Sequence, residues 1–320
     1  MNDTLKKVYE IGIIPVVAID DAAKAVPLAK ALLAGGLPAA EITFRTAAGA
    51  AAMEAVIKEV PEMLVGAGTV VTKEQADRAI AIGAKFIVCP GYDPELVKYV
   101  ISKGVPVLPG TATPGEMEQA MALGLEAVKF FPAEQNGGIE MLKAIAGPLK
   151  TLKWMPTGGV NTKNLVNYMS FNQILACGGT WMVKKDLIEG EKWDEITKIC
   201  KDAVKVMLGF ELRHIGINCA DEAEAEKTAK MFCNVFGFDY KAGNSSIFAG
   251  TAVECMKKPG MGRLGHIAIA TYNVDRAIYH LGLNGVQFDE STRKTSPDGR
   301  TTVIYLKDDF CGFMVHLVQR

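Results

Sequence analysis

The chain has 320 residues, with 35 Lys and Arg against 36 Asp and Glu and a formal net charge of −1. A balance this close to neutral gives no electrostatic reason to expect nucleic acid or an anionic membrane as partner, although a local phosphate site does not need a basic protein. The length predicts two domains rather than one, and an apolar share of 49% is enough for a sizeable core. The seven cysteines (Cys89, Cys177, Cys200, Cys219, Cys233, Cys255 and Cys311) are scattered and form no C-x-x-C pair. That argues against a disulfide framework or a thiolate zinc site and predicts a reducing, cytoplasmic setting.

Lys6 and Lys7 precede the apolar run Ile11–Ile19. Asp3, Glu10, Asp20 and Asp21 intrude, Pro15 interrupts the run, and no small-x-small cleavage site follows, so it does not read as a signal peptide. No apolar run reaches the roughly 20 residues that a membrane span needs. The four histidines are His214, His266, His280 and His316, and residues 1–213 contain none. Chemistry in the first two-thirds must therefore do without a histidine base or a histidine metal site.

From the start, apolar runs alternate with helical patterns at intervals of about 20 to 25 residues. The predicted strands are Ile13–Ile19, Ala40–Phe44, Met63–Ala67, Phe86–Cys89, Val105–Leu108, Ala127–Phe131, Leu152–Pro156 and Ile174–Ala176. Between them lie Ala/Leu/Lys/Glu-rich segments, several closed by glycine, and Glu191–Leu208 reads as a long final helix. Eight such units over about 200 residues predict an α/β fold, a (β/α)8 TIM barrel. A doubly wound open sheet competes, but no G-x-G-x-x-G follows the first strand.

The pattern changes at Gly209-Phe210, which predicts a barrel over 1–209 and a smaller α+β domain over 210–320. In the second domain a strand (Leu212–Cys219), a helix (Asp221 to Phe236) and three short strands are followed by the same order again from Arg263. The openings Arg213-His214-Ile215-Gly216-Ile217 and Gly265-His266-Ile267-Ala268-Ile269 place a histidine alike in each copy, the mark of a duplicated βαβββ module.

The stretch Leu125–Ala133 is a short apolar strand that carries Lys129. A lysine in such a place either snorkels to solvent or is desolvated into a nucleophile. On the second strand, period two puts Glu41, Thr43 and Arg45 on one face. The third strand ends Gly66-Ala67-Gly68-Thr69 and the fourth Cys89-Pro90-Gly91. The interior is thus expected to hold a carboxylate, a guanidinium and an ammonium, which are costly there unless paired. A purely structural Glu41–Lys129 or Glu41–Arg45 pair is the plain alternative. The loops Pro156-Thr157-Gly158-Gly159-Val160 and Ala176-Cys177-Gly178-Gly179-Thr180-Trp181 follow strands seven and eight, where barrels bind phosphate.

These stretches, with Val107-Leu108-Pro109-Gly110 and Val128-Lys129-Phe130-Phe131-Pro132-Ala133, resemble the motifs of the 2-dehydro-3-deoxy-phosphogluconate (KDPG) and 4-hydroxy-2-oxoglutarate (KHG) aldolases over about residues 5–208. The resemblance implies a class I, Schiff-base aldolase without a cofactor. Lys129 would form the imine with the substrate ketone, and Glu41 would carry protons. Arg45 and Thr69, with Pro90 beside them, would hold the pyruvyl end; Thr157, Gly158, Gly159, Gly179 and Thr180 would hold the distal phosphate. The implied partners are a phosphorylated keto acid, pyruvate and further copies of the chain, in a trimer. Relatives that act on the C4-epimeric phosphogalactonate share most of these motifs, so the epimer stays open.

The second domain resembles the vicinal-oxygen-chelate superfamily of glyoxalases and bleomycin-resistance proteins. The resemblance implies a divalent metal at His214, Glu254, His266 and His316, with His316 standing where glyoxalases have a glutamate. A module without metal or catalysis, which binds a metabolite or braces the oligomer, is the alternative. Arg263, Arg293 and the loop 295–300 are expected to close over an anionic ligand.

Overall fold

In the computed structural model, which describes residues 1–320, the chain divides into two units, Met1–Met207 and Leu208–Arg320. No helix is long and apolar enough to cross a membrane.

The first unit is a curled sheet of parallel strands with helices between them. In chain order the strands are β1 (Ile13–Val17), β2 (Ala39–Thr43), β3 (Leu64–Gly68), β4 (Ile87–Val88), β5 (Val107–Leu108), β6 (Gly110–Thr111), β7 (Ala127–Phe130), β8 (Lys153–Pro156) and β9 (Cys177–Gly179). One ladder runs β5-β4-β3-β2-β1-β9 and a second β6-β7-β8. Pro109 separates β5 from β6, because a proline has no N–H to give to the ladder. Every residue of β1, β2 and β7 is buried, as expected of parallel strands covered on both faces.

Three elements differ from the sequence reading. The expected eighth strand, Ile174–Ala176, is displaced. Ile174 makes only an isolated bridge to Trp154, and the residues that pair with β1 are Cys177, Gly178 and Gly179. The segment that holds Lys6 and Lys7 is a helix, Asp3–Ile11, capped by Asn2 and stopped by Gly12 at φ 77°. The apolar run that followed those lysines is thus a helix end and a strand joined at a glycine. The last helix of the unit starts at Trp193, after a separate short helix, Lys185–Glu189.

The second unit holds one eight-stranded sheet. Its strands are β10 (Glu211–Asn218), β11 (Tyr240–Ala242), β12 (Ser246–Ala249), β13 (Val253–Met256), β14 (Gly265–Thr271), β15 (Phe288–Thr295), β16 (Thr301–Phe310) and β17 (Phe313–Gln319). The order β11-β12-β13-β10-β14-β17-β16-β15 has the same plan on each side of its centre. There β10 and β14 pair antiparallel, and each pairs in parallel with the last strand of its own half. The helices Glu222–Phe236 and Val274–Leu283 follow β10 and β14, each capped by a side chain, Asp221 and Asn273. Ala225 and Ala229 of the first helix pack on Ile247, Ala249 and Cys255, so one face of the sheet is core. Alternation turns Ser246, Phe248 and Glu254 to the other face.

Candidate functional site

Lys129 sits in the middle of β7 between Val128 and Phe130, all fully buried. Its Nζ lies 3.3 Å from Oε1 of Glu41 on β2, and the two side chains are 3% and 0% exposed. It therefore does not snorkel. The ammonium also lies over the Phe131 ring, 5.2 Å from its centroid. Thr111 Oγ1 donates to the Lys129 carbonyl at 3.0 Å, which fixes the strand where the amine emerges.

The pair is incomplete in one respect. Glu41 Oε2 is buried and has no hydrogen-bond partner. Such an orphan costs about 1–3 kcal/mol and calls for a functional explanation. Space for the carboxylate comes from Gly68 on β3, where an added Cβ would lie 2.4 Å from Glu41 Oε1. Cys89 is also inside, but burial pushes its thiol up to about 12 despite the opposing pull of Lys129. It stays protonated and is no rival nucleophile.

Arg45 is not where period two put it. β2 ends at Thr43, whose hydroxyl donates to the Val17 carbonyl at 2.9 Å, and the chain then turns. The alternation stops with the strand, so Arg45 is exposed and the interior holds two charged groups rather than three. Its Nε donates to Thr69 Oγ1 at 3.0 Å. Thr69 has φ 57°. A β-branched residue there is a steric outlier, a strain of about 1–3 kcal/mol that is typical of ligand clamps. Pro90, half-buried at the end of β4, sits against Gly110, where a Cβ would meet the Pro90 carbonyl oxygen at 2.1 Å.

At the ends of β8 and β9 the two glycine pairs have different causes. Gly158 and Gly159 form a turn with φ 98° and 81°, which L-residues rarely adopt. Gly178 and Gly179 are strand residues, not a loop. A Cβ on Gly178 would lie 2.2 Å from Thr157 Oγ1, and one on Gly179 1.8 Å from the Trp181 ring. Their smallness serves packing. Thr157 is buried and bridges Gly178, while Thr180 is exposed just beyond β9. The Trp181 indole N–H is buried without a partner.

The profile of the family described as "Aldolase: KDPG and KHG aldolase" matches residues 4–199. The chain belongs to this family. It is 42% identical over 203 residues to the 2-dehydro-3-deoxy-phosphogluconate aldolase of Haemophilus influenzae, covering 63% of this chain and 96% of the relative. With the KHG/KDPG aldolase of Escherichia coli K12 it shares 41% over 193 residues, 60% of this chain and 91% of that one. Among solved structures, the KDPG aldolase of Legionella pneumophila, with pyruvate captured as a covalent carbinolamine intermediate, is 37% identical at a TM-score of 0.61. That match covers 63% of this chain and 98% of the other. The KDPG aldolase of Zymomonas mobilis with 3-phosphoglycerate is 36% identical at a TM-score of 0.58, covering 62% and 94%.

All ten aldolase-site residues named from the sequence fall inside the matched span of this KDPG and KHG aldolase family chain. The sequence reading missed Gly68 and Phe131. Gly68 was visible only as one glycine among several, and nothing in an apolar strand marks the aromatic that faces the amine.

Beyond the matched span, a second cluster lies on the other face of the second unit's sheet, with His266 and His316 buried. Register places Glu254 across from Gly216, Gly216 across from His266, and His266 across from Met314. On the neighbouring row His214 faces Ala268, Ala268 faces His316, and His316 faces Tyr305. Gly216 thus separates Glu254 from His266, and Ala268 separates His214 from His316, and the tips of the three histidines converge. A Cβ on Gly216 would lie 2.1 Å from the His266 ring. A β-bulge between Leu212 and His214 re-aims His214.

Glu254 Oε2 lies 3.1 Å from both His214 Nε2 and His266 Nε2. The ligand atoms of His214, His266 and His316 all lie within 4.8 Å of one another. Burial raises the Glu254 carboxyl, but hydrogen bonds from His214, His266 and Ser246 outweigh it and hold the group well below the usual range. Burial, then the nearby His266, pulls His316 down to about 4, so its ring is neutral at physiological pH. Ser246 donates to Glu254 Oε1 at 2.6 Å, and Tyr305 stacks on His316 at 4.7 Å. Neither was singled out in the sequence, although period two puts Ser246 on this face. Of the expected basic cover, Arg293 donates to Glu290 and Thr301, and Arg300 to Asp298.

Gly68→Ala is expected to displace the Glu41 carboxylate, lower stability by about 1–3 kcal/mol and cut aldolase turnover. Gly115→Ala is the control, because a Cβ there meets nothing within 4 Å. Thermal unfolding and turnover of both variants check this.

Proposed function

We propose that the protein is a Schiff-base aldolase that cleaves 2-dehydro-3-deoxy-6-phosphogluconate to pyruvate and glyceraldehyde 3-phosphate, and 4-hydroxy-2-oxoglutarate to pyruvate and glyoxylate. The observation that carries this reading is the buried Lys129–Glu41 pair with one carboxylate oxygen left over. A structural ion pair would satisfy both oxygens; a proton carrier keeps one for water or substrate. The relatives at about 40% identity are named for the phosphogluconate substrate or for both substrates, which favours that reading over the C4-epimeric phosphogalactonate.

In this scheme Glu41 takes a proton from the Lys129 ammonium, which frees the amine to attack the C2 ketone. The carbinolamine loses water with a proton returned by Glu41, leaving a protonated imine. The C3–C4 bond then breaks and its electrons are held as an enamine. The C4 hydroxyl gives up its proton to Glu41 through a water at Oε2, and the aldehyde leaves. Protonation at C3 and hydrolysis release pyruvate and restore Lys129. Arg45 and Thr69 hold the pyruvyl carboxylate at the mouth, with Pro90 alongside. The turn Thr157-Gly158-Gly159 and, at the end of β9, Gly179 and Thr180 take the distal phosphate. The two ladders are read as one closed (β/α)8 barrel, because the Thr157–Gly178 bridge joins β8 to β9. The domains are read as 1–209 and 210–320, and the assembly as a homotrimer.

For the second unit the same proposal is a vicinal-oxygen-chelate-like domain of two βαβββ modules. Three imidazoles and one carboxylate that converge fit a divalent ion such as zinc, iron, nickel or manganese. His214, His266, His316 and Glu254 would hold it, with Ser246 fixing the carboxylate. The ion would supply Lewis acidity toward a small oxo acid or aldehyde. A metabolite-binding or assembly module without turnover is the second reading, favoured if the bound ion can be removed without loss of any activity.

Incubation with pyruvate and borohydride, followed by mass spectrometry, is expected to place the adduct on Lys129 and to give none in Lys129→Ala. Glu41→Gln is expected to keep phosphate-ligand binding and to lose about 10²–10⁴ in turnover. An unlabelled Lys129 would remove the aldolase mechanism.

Elemental analysis of protein equilibrated with Zn²⁺ or Ni²⁺ is expected to find about one ion per chain, and far less in His266→Ala. Aldolase turnover in that variant should be unchanged. Equal metal in both proteins would rule out the cluster as the site.

A further inference from the structure

The turn Gly158-Gly159 is held from behind by groups that the aldolase scheme does not use. Ala133 N–H donates to the Thr157 carbonyl at 2.8 Å, and Glu134 N–H to the Gly158 carbonyl at 3.1 Å. The side-chain amides of Asn161 and Asn164 both donate to the Gly159 carbonyl, at 2.9 and 3.1 Å. The Glu134 side chain lies flat on Gly159, where a Cβ would meet Glu134 Cγ at 2.5 Å. Its Oε1 accepts from the Tyr168 hydroxyl, and Tyr168 is fully buried on the helix Leu165–Met169. Gly138 leaves room for that contact, since a Cβ there would be 3.1 Å from Glu134 Oε1 and 3.2 Å from Tyr168 Oη.

A carboxylate behind an anion site is unfavourable unless something holds it away from the anion. Tyr168 does this, and it stays a donor at any working pH, because burial and Glu134 push its phenol far up. The arrangement is a brace between the turn after β7 and the helix after β8, with the glycine turn between them.

We propose that Glu134 and Tyr168 are positioning residues for the distal phosphate: their hydrogen bond fixes the Gly158-Gly159 turn and thereby sets the preference for a phosphorylated substrate over an unphosphorylated one. The inference rests on the reading that this turn binds phosphate. Neither residue touches the reacting carbons, so the pair governs binding at the far end of the substrate and leaves the imine chemistry alone.

The test is steady-state kinetics of the full chain with 2-dehydro-3-deoxy-6-phosphogluconate and with 4-hydroxy-2-oxoglutarate, which has no phosphate. Tyr168→Phe is expected to raise KM for the phosphorylated substrate about tenfold, with kcat for it and KM for the other substrate within about twofold. Glu134→Ala should repeat this loss. Glu134→Gln, whose amide oxygen still accepts from Tyr168, should recover most of the wild-type ratio. An unchanged KM ratio in Tyr168→Phe, or equal losses on both substrates, would overturn the role of the pair. A wild-type protein with the same KM for both substrates would overturn the phosphate reading itself, and the proposal with it.

Discussion

The first unit depends on a buried ion pair that has no packing reason to exist. Lys129 and Glu41 lie on strands far apart in sequence, 88 residues from one to the other, and meet in the interior at 3.3 Å. Removing two charges from water costs several kcal/mol per ion, and one carboxylate–ammonium contact repays this only if the remaining polar atoms are also satisfied. Here one oxygen is not. Much around the pair reads as accommodation of it. Gly68 gives the carboxylate its space, Thr111 anchors the lysine strand, and Cys89 stays a neutral thiol beside the amine. A core built for stability alone would hold apolar residues of similar volume in these two places.

The second unit applies the same logic to a different chemistry. Its histidines and Glu254 alternate with Gly216 and Ala268, so four strands each contribute one ligand-competent side chain without crowding. The bulge at the start of β10 and the hydroxyl of Ser246 adjust the aim of individual groups. The duplication explains why the cluster lies at the middle of the sheet, where the two halves meet.

Much of this was legible because strand period and motif spacing survive burial. Lys129 in an apolar strand, Glu41 in another, and two histidines at equivalent places in a repeat are properties of the sequence. What escaped were features that depend on where an element stops. Arg45 follows Thr43 with the correct parity, yet the strand has already turned. Gly178 and Gly179 look like a phosphate loop because glycine serves packing as readily as turns, and only the positions of Thr157 and Trp181 tell the two apart. The expected strand Val105–Leu108 ends before Pro109, and the short strand Gly110–Thr111 that resumes beyond the proline was not anticipated. The Glu134–Tyr168 contact joins residues 34 apart in sequence, and no local pattern announces it.

Lys129 and Glu41 behave, on this reading, as one energetically coupled unit. A double-mutant cycle with Lys129→Met and Glu41→Gln, read by urea unfolding of the full chain, tests it. All three tryptophans, Trp154, Trp181 and Trp193, lie in the first unit, whose unfolding their fluorescence follows. Each single variant is expected to be destabilised, by up to about 3–5 kcal/mol where a charge is left unpaired. The double variant is expected to be more stable than the sum of the two losses by at least about 1 kcal/mol. Losses that add within about 0.5 kcal/mol would contradict it.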